Sequence, residues 1–188
     1  MTLPLSLAIL CPVLGISEFG LYLMKRSKAN AVSKDRKSLE LNWILGSAGF
    51  GLATFCAVDL PAWALPWREP VEMSGVCLCV LGLAVRWHAI LYLGRLFTVN
   101  VAIAADHHLI DSGPYRIIRH PCYAGSLLII LGLGLCMGNF ASLLIILVCC
   151  FVGCLRRIRV EEEALLEAFG GQYRAYVQRT RRLIPFVY

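Results

Sequence analysis

The chain has 188 residues, of which 59% are hydrophobic and only 16% charged, with a formal net charge of +6. A soluble domain carries roughly 45–50% apolar and 25% charged residues, so disorder, a collagen-like fibre and a soluble coiled coil are excluded and an integral membrane protein is expected. The positive surplus would suit a nucleic-acid binder if it were spread over a soluble surface; here the basic residues come in blocks, which membrane topology explains, and no nucleic-acid partner is expected.

Apolar stretches near the ~20 residues needed to cross the hydrocarbon layer predict spans at about 3–24, 41–60 and 73–93. From Cys122 to Leu155 run 34 residues without a formal charge, broken by Gly138-Asn139. That run is too long for one span and the Gly-Asn pair is turn chemistry, so a tight hairpin of helices at 122–137 and 140–157 is expected. The loops support this count. Residues 25–37 hold Lys25, Arg26, Lys28, Lys34, Arg36 and Lys37 against Asp35 alone, whereas 61–72 hold three prolines and Arg68 as the single base. Segment 94–121 carries Arg95, Arg116 and Arg119, the Gly138-Asn139 turn carries none, and the tail carries Arg156, Arg157, Arg159, Arg174, Arg179, Arg181 and Arg182. By the positive-inside rule this alternation sets the N-terminus outside and the C-terminus in the cytoplasm. A cleaved signal peptide is a weak rival for the first segment, because the basic residues follow the apolar stretch and no convincing Ala-x-Ala site is present.

The expected fold is therefore all-α: a polytopic membrane helical bundle of five transmembrane helices with a C-terminal cytoplasmic helical tail, forming a single domain over 1–188. The nine cysteines are an odd number, sit mostly inside apolar runs and include no Cys-x-x-Cys. They read as polarisable packing residues; neither a disulfide framework nor a metal is expected.

Polarity enters this frame at few places. Glu18 lies within the first span, and Arg86 and His88 within the third. Pairing of Glu18 with a base in the bundle and snorkelling of Arg86 to the interface are the ordinary readings, and the roles of all three stay open. Two denser blocks follow. One runs from His108 through Gly113-Pro114-Tyr115-Arg116 to Arg119-His120-Pro121-Cys122-Tyr123. Gly113-Pro114 reads as a turn and Pro121 as first-turn chemistry, which puts His120 and Tyr123 at a helix N-terminus on the membrane surface. The other is Arg156-Arg157-Ile158-Arg159-Val160-Glu161-Glu162-Glu163, where the fifth span leaves the membrane. A continuous helix there sets Arg157 above Glu161 and Arg159 above Glu163. Three consecutive glutamates spread over about 200° of helix, so at least one faces the polar loop while others face water. A Gly170-Gly171 stop and a short helix from Gln172 to Arg179, with Tyr173 and Tyr176 three apart, precede Arg181-Arg182-Leu183-Ile184-Pro185.

These blocks, with the segment Leu93-Gly94-Arg95-Leu96-Phe97-Thr98 and the run Phe169-Gly170-Gly171-Gln172-Tyr173-Arg174-Ala175-Tyr176, resemble the isoprenylcysteine carboxyl methyltransferase family of membrane enzymes. The likeness covers about residues 84–188; the first two spans are similar only in hydropathy. The resemblance implies that S-adenosyl-L-methionine binds between a loop at 94–121 and the tail at 158–188. It implies cofactor contacts from Leu109, Ile110, Tyr115, Arg119, His120, Pro121 and Tyr123, a polar cofactor group held by Glu161 or Glu162, and an acceptor carboxylate bound by Arg157. Arg157, Glu161 and Glu162 are thus the candidate catalytic residues.

Those residue types suit the chemistry. Methyl transfer from a sulfonium to a carboxylate is an in-line displacement whose nucleophile is already ionised at neutral pH, so no general base is needed. Arginine can clamp a carboxylate bidentately, and tyrosine faces attract a sulfonium. The expected partners are a lipid-tailed acceptor such as a prenylcysteine or prenylated protein, and membrane lipids, at the cytoplasmic face of a bacterial inner membrane or the endoplasmic reticulum. Rival readings are methylation of a lipid phenol, thiol or phosphatidylethanolamine amine, an NADPH-dependent lipid reductase, and a non-enzymatic membrane adaptor.

Overall fold

The computed structural model describes residues 4–24, 36–97 and 109–184. Six α-helices follow in order: α1 Leu5–Met24, α2 Arg36–Asp59, α3 Arg68–Leu93, α4 Pro121–Cys136, α5 Phe140–Phe169 and α6 Gly171–Arg179. Among the described residues the only β pairing is two isolated bridges. The helices α1, α2, α3 and α5 are long and apolar enough to cross a membrane, which makes this an integral membrane protein; α4 is a shorter apolar helix of 16 residues.

Local sequence signals set the ends. Asn139 caps α5 by accepting from the Ser142 amide at 3.1 Å, and Pro121 opens α4 where a missing N–H costs nothing. Gly94 and Gly170, with φ of 56° and 49°, close α3 and α5 in a backbone region that favours glycine. Two helix starts differ from expectation. Helices α2 and α3 start about five residues early, in polar sequence, because hydropathy marks the apolar layer and not the first hydrogen-bonded turn. The continuous helix read through 156–163 up to the Gly170-Gly171 stop is present: α5 runs unbroken for 30 residues, about 45 Å at 1.5 Å per residue, so its last turns stand clear of a ~30 Å hydrocarbon layer.

Packing inside a bilayer lacks a hydrophobic drive between helices and relies on close approach and polar pairs. Helices α3 and α4 meet through Gly75, Gly82, Gly125 and Gly132. A Cβ on Gly82 would lie 2.6 Å from the Gly125 carbonyl oxygen, and one on Gly132 would lie 2.5 Å from that of Gly75. Helices α2 and α5 are pinned by the Ser142 hydroxyl donating to the Ala53 carbonyl at 2.6 Å and by Asn139 donating to Leu60 at 2.8 Å. The Gly138-Asn139 turn is thereby buried.

Helix α1 exposes Ile9, Ile16, Phe19 and Leu23 and is tied to α3 by polar bonds along its length. Ser6 donates to Glu72 at 2.6 Å, Trp87 donates to Ser17 at 2.9 Å, and Arg86 forks onto Glu18 with two bonds of 2.8 Å. The snorkelling expected of Arg86 does not occur. Its guanidinium turns into the bundle and also donates to Ser126 at 2.7 Å and to the Cys122 sulfur at 3.0 Å, because the glycine contact brings α4 within its reach. His88 is exposed.

Candidate active site

The polar end of the bundle is assembled around Glu162. Its Oε1 accepts from Arg119 Nε at 3.1 Å and from Arg182 Nε at 3.2 Å, and lies 3.3 Å from His120 Nε2; its Oε2 accepts from Arg182 Nη2 at 2.6 Å. Burial raises the Glu162 pKa, but hydrogen bonds from His120 and Arg182, joined by Arg119, outweigh it and hold the group at about 2. Both carboxylate oxygens are engaged by neighbouring residues.

Three separate pieces of chain reach this carboxylate because the backbone binds them together. Residues 180–184 run parallel to 117–120: Arg181 donates to the Ile117 carbonyl at 3.2 Å, Arg119 donates to Arg181 at 2.7 Å, and His120 donates to Arg182 at 3.1 Å. Arg119 Nη1 adds bonds to the carbonyls of Thr180 at 2.7 Å and Val177 at 3.3 Å. The Tyr176 hydroxyl donates to the Tyr115 carbonyl at 2.7 Å, and Arg179 pairs with Asp111. Tail, loop and α5 thus form one polar cap.

Beside the cap lies a second group. Arg157, 6% exposed, donates from Nε to the Tyr123 hydroxyl at 3.2 Å. Tyr123 stands in the first turn of α4, its ring 5.7 Å from that of His120. The other nitrogen of His120, Nδ1, faces Glu161 Oε2 at 3.9 Å. The Glu161 side chain is 33% exposed against 14% for Glu162, and Glu163 and Arg159 are exposed.

Most residues singled out from sequence meet here. Arg119, His120, Glu161 and Glu162 form one cluster, and Tyr123 with Arg157 the adjoining one. Pro121 is buried at the start of α4 between them. Tyr115 is buried with its hydroxyl on the Ala89 carbonyl at 3.3 Å, and Ile110 packs against the Tyr115, Ile90 and Cys122 core. Leu109 is half-buried.

Sequence reasoning gave no site role to Arg182 and Thr180, which bond to Glu162 and Arg119. Arg182 reads there as one tail charge among seven and as part of the Arg181-Arg182-Leu183-Ile184-Pro185 ending, and nothing local distinguishes it from exposed Arg181. The available signal was its place in the Arg-Leu-Ile-Pro ending.

A family model described as the isoprenylcysteine carboxyl methyltransferase (ICMT) family matches residues 75–167. The chain is 36% identical over 119 residues to protein-S-isoprenylcysteine O-methyltransferase B of Arabidopsis thaliana, covering 62% of this chain and 60% of that protein. It is 34% identical over 115 residues to the protein-S-isoprenylcysteine O-methyltransferase of Tribolium castaneum, covering 60% of this chain and 41% of the relative. A solved structure of the eukaryotic intramembrane Ras methyltransferase ICMT superposes with a TM-score of 0.68 at 26% identity, over 100% of this chain and 70% of that one. The chain thus spans about three fifths or less of the length of these two curated relatives. The matched region holds α4 and most of α3 and α5, with Arg157, Glu161 and Glu162, and it is through this region that the chain is similar to the isoprenylcysteine carboxyl methyltransferase family.

Proposed function

We propose that the chain catalyses methyl transfer from S-adenosyl-L-methionine to a lipid-borne acceptor at the cytoplasmic membrane face, the acceptor being the C-terminal carboxylate of a prenylated cysteine. One observation carries this reading: a buried arginine, Arg157, is oriented by Tyr123 where α5 leaves the apolar layer, next to the Glu161–His120 pair. A water-soluble reactant and a lipid-tailed one can meet there.

The residues fit the cofactor. Tyr123 and His120 offer aromatic faces, Glu161 a carboxylate, and the Tyr173 hydroxyl is buried without a hydrogen-bond partner. When bound, S-adenosyl-L-methionine supplies an electrophilic methyl group on a sulfonium. In this reading Tyr123, His120, Pro121, Leu109, Ile110 and Tyr115 shape the cofactor pocket and Glu161 takes a polar group of the ligand. The saturated Glu162, with Arg119, holds the pocket wall in place. The bond from Arg157 Nε to Tyr123 sets the plane of the guanidinium, so that its terminal nitrogens meet an acceptor carboxylate as a fork. The acceptor arrives ionised, and no group in the site has to remove a proton. Alignment and exclusion of water then supply the rate, and the strap over 180–184, with Thr180 and Leu183 buried, is the element that excludes water.

The charge layout supports five spans with α4 as the fourth, the N-terminus outside and both polar blocks in the cytoplasm. The deciding experiment is transfer of labelled methyl from S-adenosyl-L-methionine by purified protein onto farnesyl-cysteine, phenolic-lipid and phosphatidylethanolamine acceptors. Base-labile label on farnesyl-cysteine is expected. Label confined to a phenol or amine would overturn the carboxylate assignment, and no transfer to any acceptor would overturn the enzyme reading.

A further inference from the structure

The hydroxyl of Tyr173 has no hydrogen-bond partner although the residue is only 3% exposed. Buried hydroxyls are almost always satisfied, and leaving one unpaired is costly. Its neighbours are all engaged. Tyr176, three residues on, donates to the Tyr115 carbonyl, and the Thr180 hydroxyl donates to the Tyr176 carbonyl at 2.7 Å. Tyr173 and Val177 lie one turn apart on one side of α6, and Thr180 follows the helix end. The last two give their carbonyls to Arg119, which in turn holds Glu162, so this side of α6 is pressed onto the polar cap. The charges acting on the Tyr173 hydroxyl are Glu162, Arg119 and Glu161.

We propose that Tyr173 is a cofactor-binding residue whose hydroxyl pairs with a neutral polar atom of the nucleoside half, a ribose hydroxyl or a purine nitrogen. The assignment rests on the S-adenosyl-L-methionine reading above. Its chemistry follows from the surroundings. Arg119 and Glu162 are already paired with each other, so neither charge is left for a ligand carboxylate, and a ligand ammonium is better served by the Glu161 carboxylate. Burial, reinforced by Glu162, pushes the phenol upward, so it stays protonated and can both donate and accept. Residue 173 also lies outside the segment matched by the family model.

The test is calorimetric binding of S-adenosylhomocysteine and of methylthioadenosine, which lacks the amino-acid half, to full-length wild type and Tyr173→Phe in detergent. Thermal unfolding of both proteins without ligand accompanies it. The variant is expected to bind each ligand about tenfold more weakly, the scale of one lost hydrogen bond, with unchanged or higher ligand-free stability because an unsatisfied hydroxyl has been removed. Equal affinities of wild type and variant, or a loss limited to S-adenosylhomocysteine, would overturn the assignment. A fall in ligand-free Tm without any change in affinity would show a packing role only and would overturn it as well. Wild type that binds neither ligand would instead sink the cofactor reading on which the proposal stands.

Discussion

At Arg157 the geometry has chemical consequences that a charge count does not capture. The guanidinium uses Nε to fix its own plane on Tyr123, and a lysine cannot reproduce a plane or a fork. Arg157→Lys should lower turnover on farnesyl-cysteine about a hundredfold while affinity for S-adenosylhomocysteine changes little. Turnover near the wild-type value would remove Arg157 from the acceptor site. Glu162 behaves differently, because its three cationic or imidazole partners are structural neighbours. Burial opposes its ionisation, yet the bonds from His120, Arg182 and Arg119 bring the folded-state pKa to about 2, below the unfolded value of about 4.3. A depressed acid contributes stability that is fully present above the unfolded value and is lost as pH falls toward the folded one. The shift of roughly two units corresponds to about 3 kcal/mol. In Glu162→Gln, thermal unfolding followed from neutral pH down to about pH 2 should show a lower Tm at neutrality and a shallower acid limb. Overlay of the two profiles would contradict the assigned role.

Between elements, the glycine seam joining α3 and α4 decides where the site residues stand. Arg86 lies one turn past Gly82, and a Cβ on Gly125 would fall 2.7 Å from the Arg86 amide nitrogen. The same contact lets Arg86 hold Cys122 and Ser126 on either side of Tyr123. A methyl at Gly82 meets backbone 2.6 Å away, which cannot yield as a side-chain tip would. Gly82→Ala should therefore cost about 1–3 kcal/mol of stability and also reduce turnover, since α4 must move and carry Tyr123 with it. Gly46→Ala is the control. Nothing lies within 4 Å of that position, and alanine's higher helix propensity should make the change neutral or slightly stabilising. Unfolding midpoints in mixed micelles and initial rates check both variants. Equal midpoints for Gly82→Ala and wild type would rule out the close contact.

Over the whole molecule, the cap is closed by chain that lies about sixty residues away in sequence. The parallel pairing of 180–184 with 117–120 delivers Arg182 to Glu162 and the Thr180 carbonyl to Arg119. Truncation after Arg179 should leave the membrane helices formed, as read by far-UV circular dichroism, yet weaken binding of S-adenosylhomocysteine by at least about tenfold, the loss expected when charge-assisted bonds holding a site wall are removed. Wild-type affinity in the truncated chain would show that the strap is not part of the binding site.

The elements were legible in the sequence because their causes are local. Apolar run length marks the long helices, Pro121 and the Gly138-Asn139 turn start helices, and Gly170 ends one. The polar residues that gather at the cap were legible too, since Arg, His, Glu and Tyr stand out against an apolar frame. Contacts between distant elements were not. Spacing of about 100° per residue establishes that one of three glutamates turns inward, and only the strap, which puts Arg182 on Glu162 and leaves Glu161 toward His120 Nδ1, decides which. Likewise, hydropathy left Arg86 free to snorkel, and the glycine contact of α3 with α4 placed it between Glu18 and Ser126. Tertiary structure alone decided these points, because each depends on a pair of groups that only the folded chain brings within hydrogen-bond distance.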